Sequence, residues 1–165
     1  MSRLLGIDLG EKRIGLAVAE EGGHARPLTT IRRGRKPAAD IAVLDRVVAE
    51  QAISEIVVGL PLEASGAEGT QSGITREWVD AVLPALGRPV SYRDERLTSH
   101  LAEQRLGPMP RGRSGGPPTA HQRDVYRARV DREAAAIILQ DELDARAALG
   151  RGQGTSAQGT TGSDM

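Results

Sequence analysis

The chain has 165 residues, 39% of them hydrophobic, and its 22 Lys plus Arg balance 22 Asp plus Glu. That length suits one domain with one substantial core, and the balanced charge leaves partners to be read from local charge. With no Cys, disulfides and thiolate metal sites are excluded. No run approaches ~18 apolar residues and no leader-like segment opens the chain, so a soluble, cytoplasmic protein without membrane contact is expected. Aromatics are only 2% and Phe is absent, so the core must come from Leu, Val, Ile and Ala, a composition suited to helices laid closely on a sheet.

In chain order, Leu4–Ile7 and Ile14–Ala19 read as strands joined by "DLGEKR", a link suited to an antiparallel hairpin. The first is apolar on both faces, as in a central strand covered from each side. "PLTTI" (Pro27–Ile31) reads as a third strand, and "RRGRK" (Arg32–Lys36) as a basic turn. Ile41, Leu44, Val47 and Val48 recur at helical spacing within Ala38–Gln51. "EIVVGLP" (Glu55–Pro61) is a second buried strand, followed by the polar, Gly-rich "LEASGAEGT". Trp78, Val79, Val82, Leu83 and Leu86 predict a helix stopped by Gly87 and Pro89.

"PVSYRDE" reads as a short strand, after which Thr98 or Ser99 caps a helix to Leu106. Gly107–Thr119 holds too much Pro and Gly for regular structure and reads as a mobile loop, before a long helix from about Gln122 to Ala147. The expected organisation is a domain over 1–149 and a disordered tail over 150–165, whose Gly, Ser, Thr and Gln bury little apolar surface. The fold class is α/β with a mixed sheet: an antiparallel hairpin first, parallel strands afterwards, helices flanking.

Three acids stand out. Asp8 ends an otherwise apolar strand, at the place where open α/β sheets keep their sites. In "RDERLTS", Asp94 and Glu95 alternate to opposite faces, so only one of them can join Asp8. Asp131, in "VDREAAAIIL", shares a helix stripe with Ala135 and Ile138, and the small Ala residues let that helix approach the sheet. Each alone is also explained blandly, as a capping acid, a solvated strand end or the partner of a neighbouring Arg. Three converging carboxylates repel one another and call for divalent metal, and hard oxygen ligands without Cys suit Mg²⁺ or Mn²⁺.

"LLGIDLGEKRIGLAVAE", "IVVGLPLEASGAEG", "YRDERLTS" and "VDREAAAIILQDELD" resemble, in order and spacing, the YqgF/RuvX family of Holliday junction resolvases, also described as pre-16S rRNA nucleases. The resemblance covers roughly residues 3–145. It implies a ribonuclease H-like fold and a metal-dependent phosphodiester hydrolase, with Asp8, Glu95 and Asp131 as catalytic and metal-binding residues. Glu11 stands where the family usually has Thr or a similar residue, which would put an extra acid beside the site, whereas Lys12 and Arg13 keep the basic pair.

Lys12, Arg13 and Arg96 are candidates for substrate phosphates, as are Arg111 and Arg113 of the Pro/Gly-rich loop. Between Pro108 and Arg132 six Arg face two Asp, which favours backbone contact. "RRGRK" taken alone reads as a solvated turn. The expected partner is nucleic acid, pre-rRNA or branched DNA, with a homodimer possible because symmetric junction cutting needs a two-fold axis. A non-catalytic nucleic-acid-binding module with this fold is the alternative. Sugar kinases and actin-like ATPases also open on an Asp-x-Gly turn, but they need a second lobe.

Overall fold

A computed structural model describes residues 2–96 and 98–153. Five strands and four α-helices follow in the order β1 (Arg3–Leu9), β2 (Arg13–Glu20), β3 (Arg26–Arg32), α1 (Pro37–Glu50), β4 (Glu55–Leu60), α2 (Thr70–Val82), β5 (Val90–Asp94), α3 (Thr98–Leu106) and α4 (Ala120–Gln153). They build one sheet of order β3-β2-β1-β4-β5. The β1–β2 and β2–β3 pairs are antiparallel, and the β1–β4 and β4–β5 pairs are parallel. This is the α/β mixed sheet expected from the sequence, an antiparallel hairpin followed by parallel strands.

β1 is apolar on both faces because helices cover both. Leu5 and Ile7 pack with Leu44 and Val48 of α1 and with Trp78 and Val82 of α2. Leu4 points the other way, into a cluster with Ala135, Ile138 and Leu139 of α4. Each such side chain, fully removed from water, contributes about 1.5–3 kcal/mol. Strand alternation then decides the site: Asp8 shares the α4 face with Leu4 and Gly6.

Glycine lets α4 lie close to the sheet. A Cβ on Gly6 would meet the Ala135 carbonyl oxygen at 2.8 Å, and one on Gly15 would meet the Asp131 carbonyl oxygen at 2.0 Å. Ala135 and Ala136 are buried on this side of the helix, and Ala134 is buried toward α3. The near-total lack of aromatics therefore has a structural counterpart in short helix–sheet distances.

The differences from expectation are at element ends. Asp8 lies inside β1, paired with Gly15, and the ladder runs on to Leu9 and Ile14. The helix containing Trp78 gives way to a 3₁₀ turn over Leu83–Leu86, where Pro84 cannot donate the next helical hydrogen bond. Thr98 is the first residue of α3 rather than its cap.

α4 begins at Ala120 rather than Gln122. Thr119 Oγ1 accepts from the Gln122 N–H at 3.1 Å, and Gln122 Oε1 accepts from the Thr119 N–H at 2.8 Å, a reciprocal capping box. The loop before it holds a short 3₁₀ turn at Arg113–Gly115. At its far end α4 continues to Gln153, past the boundary expected at 149; the rest of the expected tail, 154–165, lies outside the described residues. Among the described residues, no helix is long and apolar enough to cross a membrane.

Candidate active site

Asp8, Glu95 and Asp131 come from β1, the residue after β5 and the middle of α4, and they line one cavity of about 320 Å³ with Arg96, Thr98 and Ser99. Three packing facts bring them together. Asp8 pairs with Gly15 across the hairpin, and Gly15 is where the Asp131 backbone touches the sheet. Glu95 continues β5's pairing, its N–H donating to the Leu60 carbonyl at 3.1 Å. Gly59 leaves room for its side chain, since a Cβ there would meet Glu95 Oε2 at 2.7 Å.

The acids are held at a cost in charge. Burial pushes the Asp8 carboxyl up, offset by a hydrogen bond from Glu95, with Asp131 adding repulsion. Burial pushes Glu95 up further, reinforced by the charge of Asp8 and by the hydrogen bond to it. Two adjacent buried carboxylates cannot both ionise, so without a cation they share a proton, which Glu95 donates to Asp8. Asp131 is also raised by burial, offset by its hydrogen bond from Arg13.

As strand alternation requires, only one member of "DE" joins Asp8. Glu95 faces Asp8, whereas Asp94 turns outward and accepts from the Arg96 backbone N–H at 2.9 Å and from Arg96 Nε at 2.8 Å. Arg96 also donates to the Ala64 carbonyl at 3.2 Å, which holds it at the cavity rim. Arg13 donates from Nε to Asp131 Oδ2 at 2.9 Å and from Nη1 to Asp124 Oδ1 at 3.0 Å. Lys12 is exposed in the same turn.

Other expectations land elsewhere. Glu11 does not line the cavity of the three acids; it lines a neighbouring one with Arg33 and Gln71. Arg111 and Arg113 do not line the acidic cavity either. Arg111 donates to the Gly115 carbonyl within its own loop, and its carbonyl accepts from Gln122. That loop packs at the start of α4, and the eleven residue steps of helix from Ala120 to Asp131 span roughly 16 Å. Thr98 and Ser99, read from sequence only as caps, line the cavity with the acids. Their position directly after the "DER" motif was the available signal.

The donor set suits a hard divalent cation: three carboxylates on one cavity, all pushed up chiefly by burial. Asp131, as it stands, is engaged by Arg13. Among the described residues no three acidic or histidine side chains are grouped closely enough to hold one ion.

An α/β domain with an acid from its first strand, a later strand end and its last helix meeting in one cavity has the layout of a nuclease. A family model described as "RuvX: Holliday junction resolvase" matches residues 2–145, and the chain belongs to that family. It is 44% identical over 144 residues to a "Putative pre-16S rRNA nuclease" of Chloroflexus aggregans, covering 87% of this chain and 94% of the relative. A relative of the same name from Anaeromyxobacter dehalogenans is 44% identical over 146 residues, covering 88% and 98%. Among solved structures, Thermus thermophilus RuvC in complex with a Holliday junction substrate aligns at 20% identity and a TM-score of 0.49, covering 89% of this chain and 96% of that one. Membership places the chain among hydrolytic nucleases.

Proposed function

We propose that the protein is a divalent-metal-dependent endonuclease that cuts structured RNA, with the pre-16S rRNA named for its relatives as the substrate. The carrying observation is the meeting of Asp8, Glu95 and Asp131 in one cavity from elements far apart in sequence. These three would hold Mg²⁺ or Mn²⁺, which when bound supply charge neutralisation at the phosphate and a more acidic water.

The chain's own residues do the rest. Burial of the carboxylates keeps water out of their shells and makes them poor at tolerating each other without a cation. Arg13, once displaced from Asp131, is free beside the same cavity for a phosphate oxygen, and its second partner Asp124 keeps it in reach. Arg96, fixed by Asp94 and Ala64, and the exposed Ser99 hydroxyl offer donors at the rim. Arg111 and Arg113, nearer the start of α4, would touch backbone farther along the strand.

The test sets purified protein against labelled pre-16S rRNA fragments, RNA duplex and DNA four-way junctions, with Mg²⁺ or Mn²⁺ and with EDTA. Metal-dependent cutting of the precursor is expected, abolished in Asp8→Asn with the melting temperature retained. Full activity in EDTA, or unchanged turnover in Asp8→Asn, would remove this mechanism. RNA binding without metal-dependent cutting would establish the non-catalytic alternative.

A further inference from the structure

The "RRGRK" stretch is not a loose turn. From the last residue of β3 to the residue before α1 it places Arg32, Arg33, Arg35 and Lys36 within five residues, and two separate anchors hold it. Arg33 is tied to the turn after Asp8: its N–H donates to the Lys12 carbonyl at 2.9 Å and its Nη1 to the Gly10 carbonyl at 3.3 Å. The second anchor is Asp40, an acid only 3% exposed in the first turn of α1. Its Oδ1 accepts from the Gly34 N–H at 2.7 Å and its Oδ2 from Trp78 Nε1 at 3.0 Å.

Apart from the Arg33 Nη1 contact with the Gly10 carbonyl, the anchors use backbone groups of the loop and leave its charges without carboxylate partners. No carboxylate stands within ion-pair distance of the four cations among the described residues, while Arg13, Arg76, Arg96 and Arg146 are all paired. Arg35 and Lys36 are exposed and Arg33 is half-buried. The loop is also continuous with the acidic cavity. That cavity shares Leu9 and Gly10 with a neighbouring one of about 330 Å³. The neighbour in turn shares Arg33 and Ile74 with a third, of about 220 Å³, lined by Arg35 and Lys36. Three acids, Glu11, Asp40 and Glu77, border this path, and Asp40 is engaged by Gly34 and Trp78, so the cations of the loop are what make it attractive to an anion.

We propose that this loop is a second nucleic-acid contact, in which Arg33, Arg35 and Lys36 hold backbone phosphates of the strand leaving the acidic cavity past Gly10, and Asp40 with Trp78 sets the loop's position. The inference rests on the nuclease reading for its substrate class. Guanidinium groups without carboxylate partners take phosphate without first breaking an ion pair, and such contact carries no sequence preference. Trp78 is the sole Trp of the chain, and it shares a carboxylate with the loop's own backbone. Its emission therefore reports on the loop.

The experiment measures binding alone, in EDTA, of a labelled RNA hairpin with a single-stranded flank and of a DNA four-way junction, over a range of KCl. Arg35→Ala/Lys36→Ala is compared with wild type, since both residues are exposed and neither is used to build the loop. Losing two phosphate contacts should lower the log–log salt slope by about 1.4–1.8 and weaken affinity at least about tenfold at low salt, on both probes. In the wild type, RNA should also change the Trp78 emission. An unchanged slope and affinity would overturn the loop's role whether or not the wild type cuts RNA. Failure of the wild type to cut with metal present, with the slope difference intact, would instead overturn the nuclease reading and leave the contact standing.

Discussion

The close approach of α4 to Gly15 makes a single methyl group a sensitive probe of the site. In Gly15→Ala the new Cβ would lie 2.0 Å from the Asp131 carbonyl oxygen, 2.3 Å from its carbonyl carbon and 2.8 Å from the Arg132 nitrogen. All three are backbone atoms, so no rotamer change relieves the clash. A carbon–oxygen contact settles at about 3.3 Å, so α4 must retreat by more than about 1 Å. Overpacking of this kind costs about 1–3 kcal/mol, which for a chain of this size lowers the melting temperature by roughly 2–12 °C. The helix carries Asp131 with it, and a displacement of about 1 Å at a reacting centre costs on the order of a hundredfold in rate. Thermal melting by circular dichroism and Mn²⁺ affinity by calorimetry would be measured beside cleavage. A variant that melts with the wild type and binds Mn²⁺ equally well would refute the claim that Gly15 sets the distance between Asp8 and Asp131.

Three further outcomes are expected. Gly73→Ala should raise stability by about 0.5–1 kcal/mol, because Gly73 sits exposed inside α2 with nothing within 4 Å of a built Cβ; a lowered melting temperature would contradict it. Metal-free protein should lose stability as pH rises from about 5 to 8. Asp8, Glu95 and Asp131 all have folded values raised by burial, so the native state binds more protons than the unfolded chain in that window and the advantage vanishes on ionisation. Glu95→Gln should therefore melt higher than wild type at about pH 8 in EDTA yet gain less from Mn²⁺, and a flat or rising wild-type profile in EDTA would be the contrary result.

Much was legible in the sequence because it depends on local periodicity. The hairpin, the parallel strands after it and the helices followed from apolar spacing and from Gly and Pro punctuation. Strand alternation required that only one of Asp94 and Glu95 join Asp8, and the family resemblance pointed to Glu95. The start of α4 was also written there, in the Thr119–Gln122 capping box, although Pro and Gly nearby drew attention from it. Asp40 was a similar case. With Leu44 and Val48 it completes the buried stripe of α1, and an acid on an apolar face was a sign that something polar had to meet it.

What the sequence by itself determined was the α/β order of elements and three acids able to reach one sheet face. Tertiary structure alone decided the distances between them. Gly15 is informative only once Asp131, more than a hundred residues later, is seen to rest on it. The pairing of Arg13 with Asp131, the placing of Glu11 on the neighbouring cavity and the fastening of "RRGRK" to the Gly10 turn were likewise settled there. Each joins segments whose separation along the chain carries no periodic signal, and each follows from which backbones can pack within a few ångströms of one another.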